Sequence, residues 1–136
     1  MSVGQSFVVS LGVTVALLGG AVFTGMNARR KLHLTCVSCA VVMLGVTIWF
    51  AEQLGEEFDL EAAGVVTPVH LTLAKITTLA YLGPIVTGVR TILNPAGRKL
   101  HSRVAWTVLL LTVLTAATGL AMLKLSQPIE VTDSIP

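Results

Sequence analysis

Four long apolar runs, separated by three short polar stretches, organise this chain. The first 28 residues carry no charge, and between Lys31 and Glu52 the only ionisable side chains are His33, Cys36 and Cys39. Between Glu61 and Arg90 stand only His70, Lys75 and Tyr81, and between Arg103 and Lys124 nothing ionises. A helix that spans a bilayer needs about 20 mainly apolar residues, and each run reaches that length. The pattern predicts helices over about 6–27, 31–53, 67–92 and 99–124, an acidic loop over 54–66 and a polar, extended tail over 125–136. Pro68 suits the first turn of the third helix, and Asn94-Pro95-Ala96-Gly97 reads as the turn before the fourth. The fold class expected is all-α: one membrane domain, 1–136, built as a four-helix bundle.

Two copies of one hairpin are visible within that pattern. Arg-Lys-Leu-His occurs at Arg30–His33 and again at Arg98–His101, each time at the head of an apolar run. Upstream, Gly20-Ala21-Val22-Phe23-Thr24-Gly25 parallels Gly83-Pro84-Ile85-Val86-Thr87-Gly88. The spacing from Thr-Gly to Arg-Lys-Leu-His is four residues in the first copy and nine in the second. The expectation is a pair of tandem, pseudo-repeated helical hairpins.

Composition sharpens the class. Hydrophobic residues make up 54% and charged residues 12% of the chain, against about 25% charged in a soluble domain. The first apolar run lacks a basic lead-in and is too long for a signal peptide, so it is expected to stay as the first helix. All seven acids, Glu52, Glu56, Glu57, Asp59, Glu61, Glu130 and Asp133, fall in the loop after the second helix or in the tail. Arg29, Arg30, Lys31, Arg90, Arg98, Lys99 and Arg103 fall in the two opposite turns. Lys/Arg-rich loops stay cytoplasmic, so the termini and the acidic loop are expected outside, in an inner-membrane, multi-pass arrangement. Lys75 and Lys124 depart from the segregation, and each is long enough to snorkel to a headgroup. Gly12, Ala16, Gly20 and Thr24 form a stripe of small residues on the first helix, a packing signal for the bundle interior or a partner subunit.

The histidines carry the candidate chemistry, since an ionisable group in lipid is a functional-site hypothesis. His33 and His101 open the second and fourth helices at matching depth, which suits two axial ligands on one haem iron. Arg30, Lys31, Arg98, Lys99 and Arg103 are placed to pair with haem propionates. The competing reading makes both histidines interfacial polar residues in basic turns. His70 lies near the other membrane face, too far along a spanning helix to share their metal. It would ligate a second centre with Glu52 or with another chain, or serve as an interfacial hydrogen-bonding group. His33, Cys36 and Cys39 form a His-x-x-Cys-x-x-Cys string whose ligands suit copper or zinc. Against this, cysteine is a common small filler in buried helices, and a Cys36–Cys39 disulfide is not expected within a helix. Serine-nucleophile elbows, phosphate loops and paired catalytic carboxylates are missing from the sequence, as is any sign of nucleic-acid binding, so a non-enzymatic role is expected. A transporter is a weak reading for so small a pair of repeats.

Several stretches bear a likeness to a known family. These are His70-Leu71-Thr72-Leu73-Ala74 through Gly88-Val89-Arg90, Arg98-Lys99-Leu100-His101-Ser102-Arg103-Val104-Ala105-Trp106, and Thr118-Gly119-Leu120-Ala121-Met122-Leu123. Together they resemble the CtaM/YozB family of small four-helix membrane proteins linked to haem-copper oxidase maturation. The resemblance covers about three quarters of the chain, and His33 stands where such proteins have a histidine before the second helix. A further family histidine, near the outer end of the second helix, has no counterpart in Ile48-Trp49-Phe50-Ala51-Glu52, so a ligand set there would need Glu52. The resemblance implies haem or copper handling in respiration. The first functional expectation is therefore a protein of a respiratory or photosynthetic electron-transfer system that binds haem b, or copper, for electron transfer or oxidase assembly. The second is a cofactor-free accessory subunit of a larger membrane complex, its polar tail held by a neighbouring chain.

Overall fold

The computed structural model describes residues 1–129, so the expectations for Glu130, Asp133 and the end of the tail lie outside the described residues. Helices α1 (Val3–Met26) and α2 (Arg30–Glu56) form a hairpin, and α3 (Val66–Ala80), α4 (Leu82–Leu93) and α5 (Arg98–Leu125) form a second. Four helical spans are long and apolar enough to cross a membrane: Val3–Met26, Arg30–Glu56, Val66–Leu93 and Pro95–Leu125. The protein is thus an all-α, multi-pass membrane protein. Its chain separates into two compact units, Met1–Phe58 and the remainder from Asp59 onward, one hairpin in each.

Both hairpins are packed with small and hydroxyl-bearing residues, while large apolar side chains point away. The first buries Ser10, Thr14, Ala21, Thr24, Ala40, Thr47 and Leu54; the second buries Ala63, Thr77, Val108 and Met122. Val8, Val9, Phe23, Val42, Leu110 and Val113 are exposed. In lipid no hydrophobic force drives helix association, so close backbone approach and interhelical hydrogen bonds do that work. The Gly12–Thr24 stripe is only partly used within its hairpin. Gly12 and Ala16 are exposed, whereas Thr24 is buried and a Cβ on Gly20 would lie 3.3 Å from Cys36 Sγ.

Helix ends follow local chemistry. Ser2 and Gln5 form a reciprocal capping box at the start of α1. Its other end closes in a Schellman arrangement, with Arg29 N–H donating to Thr24 O at 2.9 Å and Ala28 N–H to Gly25 O at 3.3 Å. Ala28 occupies the left-handed position at φ 54° that glycine usually fills there. The third span, expected as one helix over 67–92, is broken at Tyr81. Pro84 accounts for the break: it has no N–H to give the carbonyl of Ala80, and its ring crowds that carbonyl. At the turn before α5, Asn94 accepts a hydrogen bond from Ala96 N–H at 3.0 Å, and Pro95–Gly97 forms a single 3₁₀ turn.

Candidate functional site

The repeat seen in the sequence is also a repeat of contacts. Matching Gly20–Gly25 to Gly83–Gly88 carries Thr14 onto Thr77, and matching Arg30–His33 to Arg98–His101 carries Thr47 onto Thr115. The hydroxyls of Thr14 and Thr47 meet at 3.0 Å, and those of Thr77 and Thr115 at 2.8 Å. Each hairpin therefore holds one threonine–threonine bridge at the corresponding level. In the second hairpin the ladder is longer, because Tyr81 Oη lies 2.8 Å from Thr112 Oγ1.

The histidines at the turns obey the same register. His33 is half-buried and its Nδ1 lies 2.8 Å from the carbonyl of Ala21. A Cβ on Gly25 would stand 3.1 Å from that Nδ1, so the ring packs closely on the glycine. His101, also half-buried, places Nδ1 3.1 Å from Thr87 Oγ1, and a Cβ on Gly88 would stand 3.3 Å from its Cε1. Each turn histidine thus packs on the glycine of a Thr-Gly pair in the helix before it, but the polar partner differs: the Ala21 carbonyl for His33 and the Thr87 hydroxyl for His101.

His70 repeats this contact at the far end of the second hairpin. Its Nδ1 is 3.1 Å from Thr118 Oγ1, and a Cβ on Gly119 would come within 2.9 Å of its Cε1. Repeat register puts Phe7, Phe50 and Ala51 at the corresponding positions of the first hairpin. That end therefore has a histidine contact in the second hairpin alone.

Donor and acceptor assignments follow from what each partner has left to give. A backbone carbonyl only accepts, so His33 Nδ1 carries the hydrogen. Thr87 directs its hydroxyl hydrogen to Gly83 O at 2.8 Å, and Thr118 directs its own to Leu114 O or Thr115 O, both at 3.0 Å. With those local bonds kept, Thr87 and Thr118 accept from the rings, and His101 and His70 donate from Nδ1. In a neutral ring with Nδ1–H, the lone pair sits on Nε2. Metal-bound histidines show this same arrangement, with one nitrogen anchored by a hydrogen bond and the other set toward the metal.

The remaining candidate residues are dispersed. Arg30, Lys31, Arg98, Lys99 and Arg103 are exposed around the two turns. Cys39 is exposed and Cys36 half-buried against Gly20, and both are free thiols. Lys75 and Glu52 are exposed. Among the described residues, no three His, Cys, Asp or Glu side chains lie close enough to hold a metal ion. The His33, Cys36 and Cys39 string thus does not converge as a three-ligand copper or zinc site. The sequence reading missed the glycines under the histidines as their seats, although Thr24-Gly25, Thr87-Gly88 and Thr118-Gly119 are each legible as Thr-Gly.

No protein-family model, curated protein sequence or solved structure matches this chain.

Proposed function

We propose that this protein serves a respiratory or photosynthetic electron-transfer system as a haem-associated membrane protein, for electron transfer or oxidase assembly. His33 and His101 supply axial ligands through Nε2, and Arg30, Lys31, Arg98, Lys99 and Arg103 pair with propionates. One observation carries this reading: Nδ1 of each turn histidine lies within hydrogen-bond distance of a partner on the preceding helix, the anchoring that a histidine ligating through Nε2 needs. The donor set favours haem over a bare copper ion. A metal held by protein alone needs three or four donors, whereas a porphyrin brings four of its own and asks for one or two histidines. When bound, haem would supply one-electron redox chemistry. The likeness to the CtaM/YozB family points the same way. The charge segregation supports a cytoplasmic-membrane protein with its basic turns inside and its termini outside.

A second reading has its own support. Among the described residues, no buried side-chain nitrogen or oxygen lacks a hydrogen-bond partner. Such full satisfaction suits a cofactor-free accessory subunit of a larger complex, whose histidines clamp the two helices of their own hairpin together. Reduced-minus-oxidised visible spectra of the purified protein, with its His33→Ala and His101→Ala variants, separate the two readings.

A further inference from the structure

The two repeats differ most in the turn between their helices, and that difference creates a cavity. In the first hairpin α1 ends one residue after Gly25; in the second, α4 continues five residues beyond Gly88, to Leu93. The extension carries Arg90 and Asn94 on the face of Thr87, since positions three and seven apart share a helix face. Opposite them lie Gly97 and Leu100, at the entry to α5. These five residues line a cavity of about 280 Å³, open on one side, in which Arg90 is the only charged wall. Gly97 closes the turn against Thr91, whose Oγ1 would lie 3.2 Å from a Cβ placed there.

From Ala62 to Ile129 the sequence contains no acidic residue, yet Arg90, Arg98, Lys99 and Arg103 cluster within this turn and the start of α5. The first turn of α5 contains no acid and no side-chain cap, so its positive end faces the same region. The third span has 28 residues, about 42 Å of helix at 1.5 Å per residue, against a hydrocarbon core of about 30 Å. Arg90 lies in the last turn of this span, and Asn94 directly follows it.

We propose that this cavity binds the phosphodiester headgroup of an anionic phospholipid, gripped by the Arg90 guanidinium. Arginine offers a planar fork that matches two phosphate oxygens. Basic pockets at the ends of membrane helices are suited to anionic headgroups, and Leu100 gives the cavity an apolar wall beside the charge. The first hairpin has cations in its turn as well, Arg29, Arg30 and Lys31, but lacks the helical extension that frames the cavity. The gripping residue, Arg90, is not among the residues proposed to hold haem, although Thr87, a wall of the cavity, also contacts His101.

The test uses the full-length protein in nanodiscs of mixed phosphatidylcholine and phosphatidylglycerol, released into native mass spectrometry. Wild type is expected to retain phosphatidylglycerol selectively. Arg90→Gln is expected to lower that retention roughly tenfold, Arg90→Lys to fall between the two, and Arg29→Gln in the other turn to match wild type. Circular dichroism checks that the variants fold; should Arg90→Gln fail, the Arg90→Lys comparison decides. Equal retention of both lipids, or identical behaviour of the Arg29 and Arg90 variants, overturns the proposal. Displacement of the lipid by inorganic phosphate would make this a small-anion site instead and would also overturn it.

Discussion

Thr14 Oγ1 and Thr47 Oγ1 lie 3.0 Å apart inside the first hairpin, and repeat register places Thr77 and Thr115 in the same relationship in the second. Each is a hydroxyl pair between two long, mainly apolar helices. Such bridges average about 0.6 kcal/mol in membranes, so they fix register more than they supply stability. Thr47→Val and Thr115→Val, which keep shape and lose the hydroxyl, should each destabilise by about 0.6 kcal/mol in reversible unfolding from mixed micelles. A double-mutant cycle of Thr14→Val with Thr47→Val should recover a coupling of similar size. Strictly additive losses would show that the pair does not interact.

The glycines beneath the histidines give a steric prediction. A methyl on Gly119 would stand 2.9 Å from His70 Cε1, and one on Gly25 3.1 Å from His33 Nδ1. Gly119→Ala should destabilise by about 1–3 kcal/mol, the range for overpacking a tight contact, and Gly25→Ala, with slightly more room, by less. Gly12→Ala, with nothing within 4 Å of its new Cβ, is the control and should leave stability unchanged or slightly improved. Thermal denaturation of the three variants in one detergent makes the comparison. Equal melting temperatures would remove the contact from the account.

Gly83 tests the approach of α4 to α5. Its added Cβ would meet Val104 Cγ1 at 2.8 Å, so Gly83→Ala should cost about 1–3 kcal/mol. Val104→Ala in the same chain should restore part of that loss, because it clears the space the methyl needs. If the double variant is no more stable than Gly83→Ala, the contact does not set the helix spacing.

Charge segregation predicts topology. In a cysteine-free background, Glu57→Cys should react with an impermeant maleimide added outside intact cells, and Ala96→Cys should react only after permeabilisation. The reverse labelling pattern would invert the orientation.

Much of the fold can be read from the sequence for physical reasons. Spans are long and their charges sparse, so their ends are marked by Arg29, Glu52, Arg90 and Arg98. The facing of each helix is harder to read. In lipid a helix is apolar all round, and the stripe of Gly12, Ala16 and Gly20 looks as much like a packing face as the true one of Ser10, Thr14, Ala21 and Thr24. Threonine adds to the difficulty, because it satisfies its own hydroxyl on the preceding turn and passes as neutral filler. Thr115 donates to its preceding turn and accepts from Thr77, while Thr14 and Thr47 both lie within reach of such a carbonyl and one of the two gives its hydrogen to the bridge instead. The break at Tyr81 had a legible cause in Pro84. At the candidate site, Arg-Lys-Leu-His was visible as a pair, but its seats on Gly25 and Gly88 depend on which way the rings turn.

The central claim is that His33 and His101 ligate haem. Its most direct test is the visible spectrum of the protein purified in mild detergent, reduced minus oxidised, with a pyridine haemochrome assay on the same sample. The account predicts a b-type signal that is lost in both His33→Ala and His101→Ala and retained in His70→Ala. A protein that purifies folded but without haem, or whose spectrum is indifferent to both turn histidines, would contradict it and leave those rings as clamps between helices.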